Sequence, residues 1–412
     1  MKWRVLIALA LAELLGLTLW FSASAITPTL VLEWQLNEGQ SSWLTMSVQL
    51  GFVLGTLISA LLNLPDILNA RYLFATCAFL GALANGAIGL FVDGIYIALG
   101  LRFLTGVFLA GVYPPGMKVM ATWFKQDRGM AIGVLVGALT LGSAAPHLLK
   151  VIGGPDWRTL MLYASCCSLL ASLICLLLVK DGPHATVGAR FDWRVTSRAL
   201  ANPGVRLANF GYLGHQWELY AVWTWISLFL YESFSASALN NPEHWAALAS
   251  FATIGIGGLG CIIAGILADR FGRTGITIVS MAVSGSCCLG IGLFFGGNPH
   301  ILTGLCLVWG FFMVADSAQF STSITELSDP AYVGTTLTLQ TCLGFLLTLI
   351  PIRLVPYWVA TIGWQWAFAP LALGPVLGIL AMYRLRQSPA AAKIGGESKL
   401  SAAHSDTAQR TS

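Results

Sequence analysis

The chain has very little charge. Only 10% of its 412 residues are Asp, Glu, Lys or Arg, against roughly a quarter in soluble domains. That shortage excludes an ordinary solvated surface, and 56% hydrophobic residues with a mean hydropathy of +0.75 place the chain in a lipid bilayer. No segment alternates apolar and polar residues as an outer-membrane barrel strand does, so helices must satisfy the backbone. No GxxxxGK[ST] phosphate loop occurs, so the chain lacks an ATP motor of its own. Cys77, Cys166, Cys167, Cys175, Cys261, Cys287, Cys288, Cys306 and Cys342 include no CxxC pair and all lie in apolar segments. They read as small core hydrophobes, not metal ligands or disulfides. His147, His184, His215, His244, His300 and His404 are scattered, whereas a membrane-embedded enzyme would need a clustered nucleophile or metal set. The expectation is therefore a non-enzyme with no metal, cofactor or nucleic-acid partner.

What the chain does have is long apolar runs. About 20 such residues cross a bilayer, and twelve runs qualify, near residues 5–27, 42–63, 72–92, 95–117, 129–151, 158–179, 207–231, 245–267, 275–296, 301–323, 332–358 and 363–383. They are numbered spans 1 to 12 below. Lys2 and Arg4 followed by an apolar run ending Ser22-Ala23-Ser24-Ala25 imitate a secretory signal. Glu13 inside that run argues instead for an uncleaved first span. With both termini on one side, all but four of the 22 basic residues fall on that side. Lys150 and Arg158 lie on the other side, and Arg102 and Arg353 lie within spans. Positive-inside reasoning makes the terminal side cytoplasmic, and the expected location is the inner (plasma) membrane.

The sequence also repeats itself. Glu13, Trp20 and Ser22 recur as Glu218, Trp225 and Ser227, 205 residues later. Pro146 and Pro351 are 205 apart, and Asp66 and Asp269 are 203 apart. The expected fold class is an all-α membrane protein with twelve transmembrane helices in two six-helix pseudo-symmetric bundles. Residues 1–180 and 207–386 form the bundles, 181–206 a basic connector, and 387–412 a disordered tail rich in Ala, Ser and Gly.

The loop after span 8 reads Gly265-Ile-Leu-Ala-Asp269-Arg270-Phe-Gly272-Arg273. Gly265 permits close helix approach, Asp269 can accept at a helix end, and Gly272 permits a tight turn. Arg270 and Arg273 can face acidic headgroups or a neighbouring helix end. With twelve spans and a basic central loop, this segment resembles the signature loop of the major facilitator superfamily, over residues 1 to about 386. The resemblance implies that the loop latches the terminal side and breaks as the halves rock. The first-half copy, Asn63-Leu-Pro65-Asp66-Ile-Leu-Asn-Ala-Arg71, keeps the Asp and one Arg but lacks both glycines.

Span 4 carries Arg102-Phe-Leu-Thr-Gly106-Val-Phe-Leu-Ala-Gly111, similar to the family's intramembrane arginine motif. A buried arginine needs a carboxylate or an anionic solute. The family implies that spans 1 and 4 line the cavity, which makes Glu13 the expected partner of Arg102. That pair is either a lock between two helices or a working carboxyl that loads and releases protons. On span 7, His215 and Glu218 share a helical face, with Trp225 on nearly the same line. Trp20, Tyr220 and Trp225 are expected to wall the cavity, while Trp217 and Trp223 suit lipid or the interface. Asp316 in span 10 is a further site candidate, and Arg353 in span 11 either snorkels outward or meets solute. Gly129, Gly133, Gly137 and Gly142 in span 5 suit tight packing in lipid.

Spans 2 and 8 contain no Arg or Lys, unlike the nitrate carriers of the family, so the cavity suits an organic solute, amphiphilic or cationic. The expectation is a monomeric secondary transporter working by alternating access. Its partners would be a small-molecule substrate, protons and the bilayer, with Glu13, Arg102, His215, Glu218 and Asp316 as coupling candidates. The alternatives are a uniporter, an anion porter of the same fold, or a transport-inactive receptor.

Overall fold

The computed structural model describes residues 1–62, 64–124, 128–153, 156–183, 201–329 and 333–395. Arg190, Arg194 and Arg198 of the connector lie outside them. Helices account for nearly all of these residues, and no strand occurs among them. Ten helical segments are long and apolar enough to cross a membrane. The other two complete the twelve-span fold: the more polar Pro203–Ala236, and the short pair Ala369–Ala372 and Leu373–Gln387.

Local chemistry sets where the helices start and stop. Asn37, Asn69, Asp156, Asn202 and Asn298 cap the starts of spans 2, 3, 6, 7 and 10 by accepting from first-turn backbone N–H groups. Asn37 and Gln40 form a reciprocal capping box. Gly272 ends span 8 at φ +84°, a conformation that favours glycine.

Three spans are broken. Span 1 is Lys2–Leu17 and then Ser22–Glu33, span 4 is Ile95–Leu109 and then Tyr113–Trp123, and span 10 is Pro299–Ala315 and then Ser317–Leu327. Span 7 runs unbroken for 34 residues. The repeat extends into the packing. A Cβ at Gly106 of span 4 would collide with the Val48 carbonyl of span 2, and one at Gly310 of span 10 with the Thr253 carbonyl of span 8. The two glycines stand 204 residues apart and the two carbonyls 205, in step with the sequence repeat.

The halves meet along two seams, span 5 against span 8 and span 2 against span 11. Gly137 and Gly258 face each other across the first. Gly142 of span 5 seats the Leu14 carbonyl of span 1, but Gly133 has open space before it, so the glycine run packs at only some of its positions.

Helical structure continues past residue 387, where composition places the start of a tail. Span 12 reaches Gln387, Pro389–Lys393 form a 3₁₀ turn, and Ile394 is fully buried among Val205, Leu327 and Leu385. One isoleucine in a ready apolar notch orders a segment that composition alone reads as structureless. Residues 396–412 lie outside the described part.

Candidate functional site

The site is built around the break in span 1. Once residues 18–21 leave the helix, the Leu19 and Trp20 carbonyls lose intrahelical donors and need others. Arg102 supplies them, donating to Leu19 O at 2.8 Å and to Trp20 O. It also bonds Leu44 O at 3.3 Å, Ser22 Oγ at 3.0 Å and Asn85 Oδ1 at 3.3 Å. The guanidinium thus ties spans 1, 2, 3 and 4 together. No contact to Glu13 is among its bonds, so the expected Glu13–Arg102 pair does not form. Backbone carbonyls exposed by the helix break, invisible to a search for carboxylates, occupy the cation instead.

The break turns Trp20 and Phe21 toward the other half. Trp20 meets Phe52 at 4.7 Å between ring centroids, Phe345 at 5.4 Å and Tyr220 at 5.8 Å. Phe21 meets Trp223 at 5.6 Å and Tyr220 at 6.0 Å, and Phe345 closes on Phe52 at 4.8 Å and on Tyr220 at 4.9 Å. Six rings, three from each half, therefore form one box. Beside it, the Thr348 hydroxyl donates to Gln49 Oε1 across the seam. Trp20 Nε1, Trp223 Nε1 and Gln49 Nε2 are buried without a hydrogen-bond partner. Trp20 and Tyr220 sit where cavity aromatics were expected. Trp225 does not, because its Nε1 donates to Ile352 O at 3.0 Å within its own half. Trp223, read from sequence as lipid-facing, takes that place. The continuous helix of span 7 rotates the Trp223 face, not the Glu218 line, toward the first half.

The two repeated carboxyls differ. Glu218 accepts from Trp309 Nε1 at 2.6 Å, Ser284 Oγ at 2.9 Å and Cys288 Sγ at 3.2 Å, which fastens span 7 to spans 9 and 10. Glu13 is equally buried, yet neither of its oxygens has a hydrogen-bond partner. It lies against span 4 just past the break, where a Cβ on Gly116 would come within 2.8 Å of Oε2. Tyr113 stands within electrostatic reach of Glu13, Tyr212 and Cys261, at the meeting of the halves.

His215 faces Asp316 rather than joining Glu218. Its Nδ1 is 2.9 Å from Asp316 Oδ1, an ion-pair distance without hydrogen-bond alignment, and its Nε2 is 3.2 Å from Ser317 Oγ. Asp316 and Ser317 mark the break in span 10.

The loop after span 8 bonds within its own half. Arg273 grips Glu326 at 2.9 and 3.0 Å, Gln319 at 2.9 Å and Asp269 at 3.2 Å. Arg270 lies exposed over the Phe271 ring. Gly265 mediates no tight crossing, since the nearest atom to a Cβ there is Gln319 Nε2 at 4.0 Å. Asp66 sits on the short helix Leu64–Ile67, and its side chain lies outside the described part. Tyr113, Phe21, Phe52 and Phe345 escaped sequence reasoning because apolar aromatics are unremarkable in a span. His147, fully buried with both ring nitrogens unpartnered, was visible only as the neighbour of Pro146.

Comparison with known proteins agrees with this architecture. The profile of the Major Facilitator Superfamily matches residues 9–352. The hexuronate transporter of Escherichia coli K12 is 23% identical over 427 residues, spanning 96% of each chain. Among solved structures, a mutant of the nucleoside transporter NupG superposes with a TM-score of 0.71 at 15% identity, over 92% of this chain and 99% of that one. A bacterial homologue of the human lysosomal transporter Spinster, inward-facing and unoccupied, gives 0.69 at 14% identity, over 96% and 98%.

Proposed function

Because the chain belongs to the Major Facilitator Superfamily, and so is a multi-pass membrane transporter of some solute, we propose that it is a proton-coupled secondary transporter of a small organic acid. In this reading the two halves rock around the aromatic box, and the termini lie on the cytoplasmic face of the inner membrane. The observation that carries the reading is the box itself. Rings from both halves meet there, so any relative movement of the halves opens or closes it.

The chemistry of the box favours acceptor-bearing solutes over the cationic ones that sequence suggested. Its unsatisfied groups are donors, the indole N–H groups of Trp20 and Trp223 and the amide of Gln49. Arg102, whose guanidinium reaches the Trp20 carbonyl, is already taken by carbonyls. A full-length relative that carries hexuronate, a sugar acid, supports the same class.

For coupling, Glu13 is the carboxyl free to exchange a proton, whereas Glu218 holds helices together. The test uses protein reconstituted in liposomes and a panel of sugar acids, other organic acids and amines. Solute addition is expected to move protons, Glu13→Gln to abolish that movement, and binding of the solute to survive. If flux ignores a pH gradient and no solute moves protons, a uniporter stands in place of this reading.

A further inference from the structure

On the side away from the termini, the halves touch at both seams. At the first, Lys150 in the last turn of span 5 meets Glu243 in the first turn of span 8, Nζ to Oε1 2.8 Å. Lys150 is only 8% exposed and Glu243 48%, so the cation lies inside the seam and the carboxylate at its mouth. At the second, the Arg353 guanidinium of span 11 lies against the start of span 2, where a Cβ on Gly39 would be 3.1 Å from Nη2.

The internal repeat relates these two places. Glu38 and Glu243 stand 205 positions apart, each in the first turn of its span, and Lys150 and Arg353 stand 203 apart. Those are the offsets of the Glu13/Glu218 and Asp66/Asp269 pairs.

We propose that Lys150 with Glu243, and Arg353 with the start of span 2, are the two prongs of one pseudo-symmetric gate, closed here and parted when the protein opens away from its termini. A lysine serving only as a headgroup anchor would reach outward along the lipid. Lys150 instead turns inward and bridges two halves. Arg353 is exposed, but its guanidinium reaches the start of span 2 on the opposite seam, which assigns it to closure rather than to solute. Half-exposed ion pairs are individually weak, which suits a latch that must release in every cycle. Two prongs on opposite seams also resist tilting of either half. Below them, the Thr348–Gln49 bond and the Trp20 box continue the closure inward.

The proposal rests on the alternating-access reading, and its test separates the two. Ser143 lies on span 5, seven residues from Lys150 and so on the same face, and is buried. In a Ser143→Cys background, an impermeant maleimide is applied from the side away from the termini, and labelling is read by mass spectrometry of the peptide carrying position 143. Glu243→Gln and Arg353→Gln should each speed labelling about two- to fivefold, the scale expected for losing one exposed pair, and together they should multiply. The charge swap Lys150→Glu with Glu243→Lys, made alone and with Arg353→Gln, should return labelling toward the native and the Arg353→Gln rates respectively. Native-rate labelling in the Glu243→Gln/Arg353→Gln protein, with transport intact, removes the gate and leaves alternating access standing. The same holds if the two swapped proteins label as fast as Glu243→Gln and Glu243→Gln/Arg353→Gln respectively. A Lys150→Cys/Glu243→Cys protein, oxidised to a cross-link, should stop transporting and recover on reduction. Undiminished flux in the cross-linked protein overturns alternating access and the gate with it.

Discussion

Arg102 ties spans 1, 2, 3 and 4 together through its guanidinium. Its environment is five acceptors: two backbone carbonyls freed by the break in span 1, the Leu44 carbonyl of span 2, and the Ser22 and Asn85 side-chain oxygens. Arg102→Leu would leave the Trp20 carbonyl without its donor and the Leu19 carbonyl with the Ser22 hydroxyl alone, at about 1–3 kcal/mol for a buried unmet group. The expected outcome is severe loss of folded protein, with Arg102→Lys intermediate because an ammonium cannot span the same fork; thermal melts in detergent check the order. The repeated carboxyls follow the same logic. Glu218 should behave as structure, so Glu218→Ala, which strands Trp309 Nε1 and leaves Ser284 Oγ only its bond to Met281 O, lowers the melting temperature sharply. Glu13→Gln, which strands nothing, barely shifts it.

Outside the membrane, Asp156 gives a pH signature. The Thr159 hydroxyl, then the Thr159 and Arg158 backbone N–H groups, hold its carboxyl below the ordinary aspartate value. A depressed value in the fold means the cap stabilises fully above the unfolded-state value and is lost as pH falls through the folded one. Asp156→Ala should therefore cost about 1 kcal/mol near neutrality and progressively less in acid, seen as melting curves of the two proteins converging at low pH.

At the scale of elements, the sequence showed more than half of what matters. Twelve spans, the two-fold repeat and the intramembrane position of Glu13, Arg102, Glu218 and Asp316 follow from hydropathy and spacing alone. The break in span 1 does not, because Thr18 to Phe21 carries no proline or glycine and looks like any apolar run; only the tertiary demand of Arg102 shows that it unwinds, whereas the break in span 4 falls at Gly111 just before Pro114 and Pro115. Faces of span 7 were misread for a related reason. A stripe drawn from Glu218 to Trp225 assumes that the carboxyl faces the cavity, whereas Ser284, Cys288 and Trp309 draw it into its own bundle. The close crossings do extend the repeat into three dimensions, and they are testable. Gly106→Ala and Gly310→Ala each place a methyl on a carbonyl of the neighbouring span, and both should destabilise by a similar margin, about 1–3 kcal/mol for overpacking. Ile394→Ala tests the ordered end of the chain. It should cost about 2 kcal/mol or more as a buried large-to-small change, whereas a structureless tail would show none; thermal melts separate the two.

At the scale of the whole molecule, the question is which contacts within a half keep the fold and which between halves carry the cycle. On the alternating-access reading proposed above, the aromatic box belongs to the second kind, since it joins Trp20, Phe21 and Phe52 of one half to Tyr220, Trp223 and Phe345 of the other. Trp225, bonded to Ile352 O inside its half, belongs to the first. Two tryptophans from corresponding positions of the repeat should therefore respond in opposite ways. Trp20→Ala removes a ring and an unmet donor from the surface the halves share, and should weaken solute binding by about tenfold or more, as truncating a buried aromatic anchor commonly does. Its melting temperature should move little in the absence of solute, because the rings it leaves behind belong to bodies that separate in each cycle. Trp225→Ala should do the reverse, lowering the melting temperature while leaving solute affinity near its native value in the protein that remains folded. Equilibrium binding and thermal melts on the same two preparations decide the matter. Equal losses of affinity in both variants would mean that the box is not where the solute is held, and that the two halves share their binding surface along a different face of span 7.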